Sequence, residues 1–213
     1  MKLIPPGKDV MSKGRFDAFT DGVFAVAITL MVLEIHIPEL DVGGDPDTAM
    51  RTYLAKLGGP LLTYALSFAT VGLIWLNHHA TFAPVRNVDR GVNALNLVLL
   101  GIVCFVPFPT ALLSRYGPLP SSTVLYGATL TLMSIAYFAV WQYAVRSDPE
   151  APPVPRAVVI TGGIGTFFYL TGTLLAFAAP KVSIGIFVAV AVYYALPGLF
   201  NLRRHAAAEA QRR

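Results

Sequence analysis

Five stretches of this chain run for a membrane's width without one Asp, Glu, Lys or Arg: Leu57 to Asn77, Gly91 to Ser114, Tyr116 to Val145, Ala157 to Pro180 and Val182 to Leu202. About 20 apolar residues rising 1.5 Å each cover a hydrocarbon core of about 30 Å, so each stretch can cross a bilayer. A sixth, Phe16 to Ile37, is equally apolar apart from Asp17, Asp21 and Glu34. Lipid cannot satisfy open backbone groups, so all six are expected as helices, at about 16–37, 56–78, 91–115, 121–145, 157–179 and 182–204. The expected fold class is an all-α membrane protein, a single six-helix domain over 1–213. Only 13% of residues are charged, about half the share in soluble domains, so most of the surface must face lipid or other helices.

Lys and Arg set the orientation. Twelve fall on one side (Lys2, Lys8, Lys13, Arg15, Arg86, Arg90, Arg146, Arg156, Arg203, Arg204, Arg212 and Arg213) and four on the other (Arg51, Lys56, Arg115 and Lys181). Positive charge stays inside, which places both termini in the cytoplasm. The net charge of +4 is then a topology signal, and no nucleic-acid partner is implied. The polar start of the chain and Pro38-Glu39 after the first apolar stretch do not read as a cleavable signal peptide. Pro107-Phe108-Pro109 should kink the third span. Gly162, Gly163, Gly165 and Gly172 suit close helix packing in the fifth. Cys104, the only cysteine, is expected as a small buried apolar residue.

The first span carries the polar chemistry. A carboxylate one to two turns inside an apolar helix costs about 2.5 to 3.5 kcal/mol unless it is paired, so Asp21 needs partners. Arg15 precedes it on the same helix, and the end of the second span brings Trp75, Asn77, His78 and His79 to a similar depth. A polar cluster there would lock the first helix against the second and fix which side points away. At about 100° per residue, Gly22, Val26, Thr29, Leu30, Leu33 and Ile37 form one stripe on that other side. By spacing alone, a helix-packing seam and a pore lining both remain open.

The stretch RFDAFTDGVFAVAITLMVLEI resembles the signature of the transmembrane protein 175 family of cation channels, Arg-x-x-x-Phe-Ser-Asp, here Arg15, Phe19, Thr20 and Asp21. Thr20 replaces Ser and keeps the hydroxyl. Trp75 to His79 (WLNHH) and Asn96 to Tyr116 are similar to that family's second and third helices, and the likeness in helix order spans nearly the whole chain. The resemblance implies a homotetramer with helix one of each subunit lining a central pore that passes potassium. No Thr-Val-Gly-Tyr-Gly filter is present. The resemblance instead places the constriction at Val26, Leu30 and Leu33, with Thr29 where some members carry a hydroxyl ring. Relatives more often have Ile or Leu at the Val26 position, so this neck would be wider. Glu34 and the acidic loop from Glu39 to Asp47 would lie at the outer mouth, where four copies concentrate cations.

The resulting expectation is a potassium-selective, weakly voltage-dependent leak channel gated by wetting and dewetting of an apolar neck. No helix carries regularly spaced arginines that could sense voltage. The expected setting is a prokaryotic plasma membrane, with the bilayer, monovalent cations and three further copies as partners and permeant K+ in place of any cofactor. Adjacent His78 and His79 point about 100° apart on a helix, a poor arrangement for one metal, and no metal site is expected. Their titration leaves pH modulation open. Two alternatives are a proton-coupled secondary transporter using Asp21 and the histidines, and a non-conducting membrane scaffold. No nucleophile and base pair, metal cluster or phosphate loop points to an enzyme.

Overall fold

Apolar runs without charge or internal proline become long helices, and the chain's turns fall where Pro, Gly and Asp interrupt them. The computed structural model describes residues 12–37, 45–151 and 156–210, with backbone alone at 156–158, 161 and 197–210. Glu39, Asp41 and the terminal cations Lys2, Lys8, Arg212 and Arg213 lie outside the described residues. In chain order the helices are α1 Lys13–Leu30, α2 Pro46–Lys56, α3 Gly58–Phe82, α4 Arg90–Phe105, α5 Pro107–Tyr116, α6 Pro120–Ser147, α7 Arg156–Leu175 and α8 Pro180–Ala210. A short 3-10 turn, Met31–Glu34, extends α1. Among the described residues four stretches are long and apolar enough to cross a membrane: Lys13–Glu34, Gly58–Phe82, Arg90–Tyr116 and Pro120–Ser147.

The third of these is interrupted where the prolines predict. Pro107 has no N–H for the carbonyl of Val103, which instead accepts from Val106 at 3.2 Å. Val106 therefore closes α4 and opens α5. Beside the interruption Ser67 bonds the hydroxyls of Thr110 at 2.8 Å and Tyr126 at 3.0 Å, joining α3, α5 and α6. These groups are buried, and each has the partner that burial in a membrane requires.

α6 is the centre of the subunit and packs on α3, α4, α5, α7 and α8. Its Gly127 faces Gly172 of α7 across the Phe187 ring, and a Cβ on either glycine would fall 2.6 Å from that ring. Among the other glycines expected to permit close packing, Gly165 meets Tyr194 and Gly162 meets Phe138, whereas Gly163 has open space.

Two sequence expectations change. The stretch expected as an outer loop contains α2, started by Asp45, whose side chain accepts from the N–H of Thr48 at 3.1 Å with Pro46 in the first helical position. Cys104 is exposed, because α4 turns Val92, Asn96, Leu99, Leu100 and Val103 inward and leaves Cys104 on the other side.

Where α3 meets α4, Asp148 at the end of α6 acts as a clasp. Its carboxylate accepts from the N–H of Arg86 at 2.7 Å, from the N–H of Asn87 at 3.2 Å and its side-chain amide at 3.0 Å, and from the N–H of Glu150 at 3.1 Å. Burial alone would push this carboxyl up, but the N–H donors outweigh it and hold it down at about 2.

Candidate functional site

α1 has two unlike faces. Phe16, Thr20, Phe24, Ala27 and Met31 recur at helical spacing and are buried against α3, α4 and α5. That face is the one α1 turns toward its neighbours. The opposite side carries Gly22, Val26, Thr29, Leu30 and Leu33, all exposed on the subunit, with Val26 57% and Leu33 74% open. Thr29 donates its hydroxyl back to the carbonyls of Ala25 and Val26 at 2.9 Å each, so its proton is satisfied while an oxygen lone pair stays outward.

The rotation is fixed by a hydrogen-bonded chain through three helices. Asn96 of α4 donates its Nδ2 to the Thr20 hydroxyl at 2.9 Å. With the amide so placed, its Oδ1 accepts from His78 Nε2 of α3 at 3.1 Å. All three residues are buried. His78 is packed among aromatic rings, stacked on Phe82 at 4.2 Å and lying 6.1 Å from both Phe16 and Phe24. It is thereby a structural group inside the helix packing, with no open route to a metal or solvent.

Asp21 finds its partner on α3. Trp75 Nε1 donates to Asp21 Oδ1 at 2.8 Å, joining the half-buried carboxylate to α3. A hydrogen bond to an ionised group is among the stronger neutral-to-charge contacts, which is how the span tolerates this charge.

Thr20, Asp21, Trp75 and His78 are thus brought together. Arg15 is exposed and makes no hydrogen bond or ion pair among the described residues; the neighbouring ion pair is Lys13 with Asp17. Phe19 is 48% exposed. Asn77 and His79 also face outward, Asn77 contributing only its carbonyl to Thr81 and His79 lying 6.3 Å from the Trp75 ring. Glu34 is half-buried at the far end of the 3-10 turn. Among the described residues no three of His, Cys, Asp and Glu come close enough to hold a metal ion.

Asn96 is the residue sequence reasoning did not single out. The available signal was an amide in the middle of a charge-free span, where a polar side chain needs a partner. Which partner it finds depends on α1 lying beside α4, a tertiary fact.

A family model described as the endosomal/lysosomal potassium channel TMEM175 matches residues 15–107, the segment that contains all but the first two residues of α1, the whole of α3 and α4, and every member of the Thr20–Asn96–His78 chain. A potassium channel of Streptomyces collinus is 34% identical over 190 residues, covering 85% of this chain and 90% of that one. Another, of Chamaesiphon minutus, is 35% identical over 191 residues, covering 86% and 93%. The crystal structure of a lysosomal potassium-selective channel TMEM175 homologue from Chamaesiphon minutus superposes with a TM-score of 0.75 at 32% identity, covering 86% of this chain and 96% of that one.

Proposed function

The chain belongs to the TMEM175 family of ion channels, and from that premise we propose that it is a potassium-selective leak channel in which four subunits present α1 to a common axis. Six spans per subunit fit this reading, the two beyond the four named above being Arg156–Leu175 and the Pro180–Leu196 part of α8. The excess of Lys and Arg at the α3–α4 and α6–α7 turns supports a topology with both termini in the cytoplasm, and the bacterial relatives support a prokaryotic plasma membrane as its setting.

The observation that carries the proposal is the exposed stripe on a helix whose rotation is fixed from behind. Val26, Leu30 and Leu33 are all exposed on the subunit, Leu30 by 44%. Four such stripes around an axis make successive apolar rings, with Thr29 offering an oxygen between them. An apolar neck conducts when wide enough to hold water and closes when water leaves, so a small movement of α1 suffices to gate it. Glu34, at the far end of the stripe, would raise the local concentration of cations at the outer mouth. Without an arginine ladder, opening should depend only weakly on voltage. Potassium is the permeant ion in the names of the relatives above, and no bound cofactor is required.

Purified protein in liposomes tests this directly. A potassium gradient should drive thallium entry, and replacing Leu30→Ala together with Leu33→Ala should change its rate or its preference for potassium over sodium. Absent flux, or flux in the double variant indistinguishable from the parent, would remove the pore from α1.

A further inference from the structure

A cavity of about 190 Å³ opens between α3, the α5–α6 turn and α8, away from the polar chain behind α1. Its lining changes character along the helix axes. Gly59, Ser114 and Lys181 lie toward the end at which α3 and α8 begin, and Leu62, Leu66 and Ile184 line it further in. At 1.5 Å per residue, Leu66 lies about 10 Å deeper than Gly59. This is the distance over which a bilayer passes from headgroups to acyl chains.

The polar end is unsatisfied. Among the described residues the Lys181 ammonium has no ion pair or hydrogen bond, the three ion pairs being Lys13–Asp17, Arg51–Asp47 and Arg86–Glu150. Ser114 likewise makes no side-chain hydrogen bond there. An exposed cation above a hydroxyl and an aliphatic slot matches, in order, a phosphate, its ester oxygens and the first part of a fatty chain. A water-filled reading accounts for the rim but leaves the Leu62, Leu66 and Ile184 wall facing water it cannot bond.

We propose that this cavity is a binding site for one anionic phospholipid per subunit, with its phosphate on Lys181 and Ser114 and an acyl chain against Leu62, Leu66 and Ile184. The site depends on these helices spanning the membrane and not on the pore, so it can stand or fall independently of the channel reading. Gly59 supplies a probe, because it lines the cavity and a Cβ there meets nothing within 4 Å.

Native mass spectrometry of the full chain, released from micelles containing phosphatidylglycerol or phosphatidylcholine of matched chains, reads the site directly. The parent should retain phosphatidylglycerol at one per subunit in preference to phosphatidylcholine. Lys181→Gln should weaken that retention about fivefold, as expected for one lysine at an anionic surface. Gly59→Phe should abolish retention of both lipids, and Lys56→Gln, an exposed cation that does not line the cavity, should change nothing. Thermal unfolding of each variant confirms that the fold persists. Retention unaffected by Lys181→Gln or by Gly59→Phe overturns the site, as does equal retention of the two lipids. Displacement by inorganic phosphate alone would also overturn it, showing an anion site with no place for a chain.

Discussion

If the Thr20–Asn96–His78 chain sets the rotation of α1, breaking it should cost stability in a coupled way. Asn96→Leu keeps the volume roughly constant and removes both hydrogen bonds, at 2.9 and 3.1 Å. Hydrogen bonds between helices in membranes average about 0.6 kcal/mol and reach about 1.7 kcal/mol, so losing two costs about 1 to 3 kcal/mol. A second effect adds to this. His78 is 3% exposed and enclosed by Phe16, Phe24 and Phe82, so its N–H cannot turn to water and carries a desolvation cost of about 1 to 3 kcal/mol. The orphaned donor therefore matters as much as the lost bonds, and Asn96→Leu should destabilise by about 2 to 6 kcal/mol. Thr20→Val removes one acceptor and should cost about 1 kcal/mol. The double variant should cost less than the sum by about 0.6 to 1.7 kcal/mol, since both changes delete the same bond. Reversible unfolding in mixed micelles, scored by the fraction folded against denaturing detergent, measures all four corners of the cycle. Asn77→Ala, whose side chain is exposed, serves as the control and should be close to neutral. Additive costs for Thr20 and Asn96, or an Asn77 effect as large as that of Asn96, would show that the chain does not hold α1.

Trp75→Phe keeps an aromatic ring but deletes the 2.8 Å bond to Asp21, and the same unfolding assay should show a loss of about 1.5 kcal/mol, the low end for a bond to a charged group because Asp21 is only half-buried. Asp148→Asn should cost about 2 kcal/mol at neutral pH, the free energy between a carboxyl at the usual 3.8 and one at about 2. Because the native carboxyl is depressed, that stability is present above pH 3.8 and is lost as pH falls toward about 2. The gap between parent and variant should therefore shrink over that acid range in a pH series of unfolding curves, and a gap independent of pH would refute the clasp.

The spans were legible because lipid leaves so few options: a long run without charge has to be a helix, and Pro107 has to interrupt the one it occupies. The start of α2 was also written in the sequence, as Asp45 followed by Pro46, but an acidic Gly-containing stretch masks a short helix whose residues all stay out of the core. What the sequence could not resolve is partnership. Trp75 is the partner of Asp21 and Asn96 is the partner of His78, yet Arg15, Asn77 and His79 lie as close along the chain and carry equally suitable groups. Only the side-by-side placement of α1, α3 and α4 decides among them. Cys104 failed for the same reason, since its side of α4 follows from where α1 and α6 sit.

The same placement explains why one helix can be both anchored and available. A stripe of Val26, Leu30 and Leu33 by itself is sticky in any direction, and an unrestrained helix would roll it against α3 or α4. Polar bonds prevent that because they are directional: Thr20 and Asp21 each reach a single donor on a different neighbouring helix, and rolling α1 would break both at once. Apolar packing of Phe16, Phe24 and Met31 supplies area on that face but tolerates small rotations. At the other end the fully buried Met31 and the packing of the 3-10 turn on α5 and α3 hold the helix again, so Val26 and Leu30 are presented between two fixed ends.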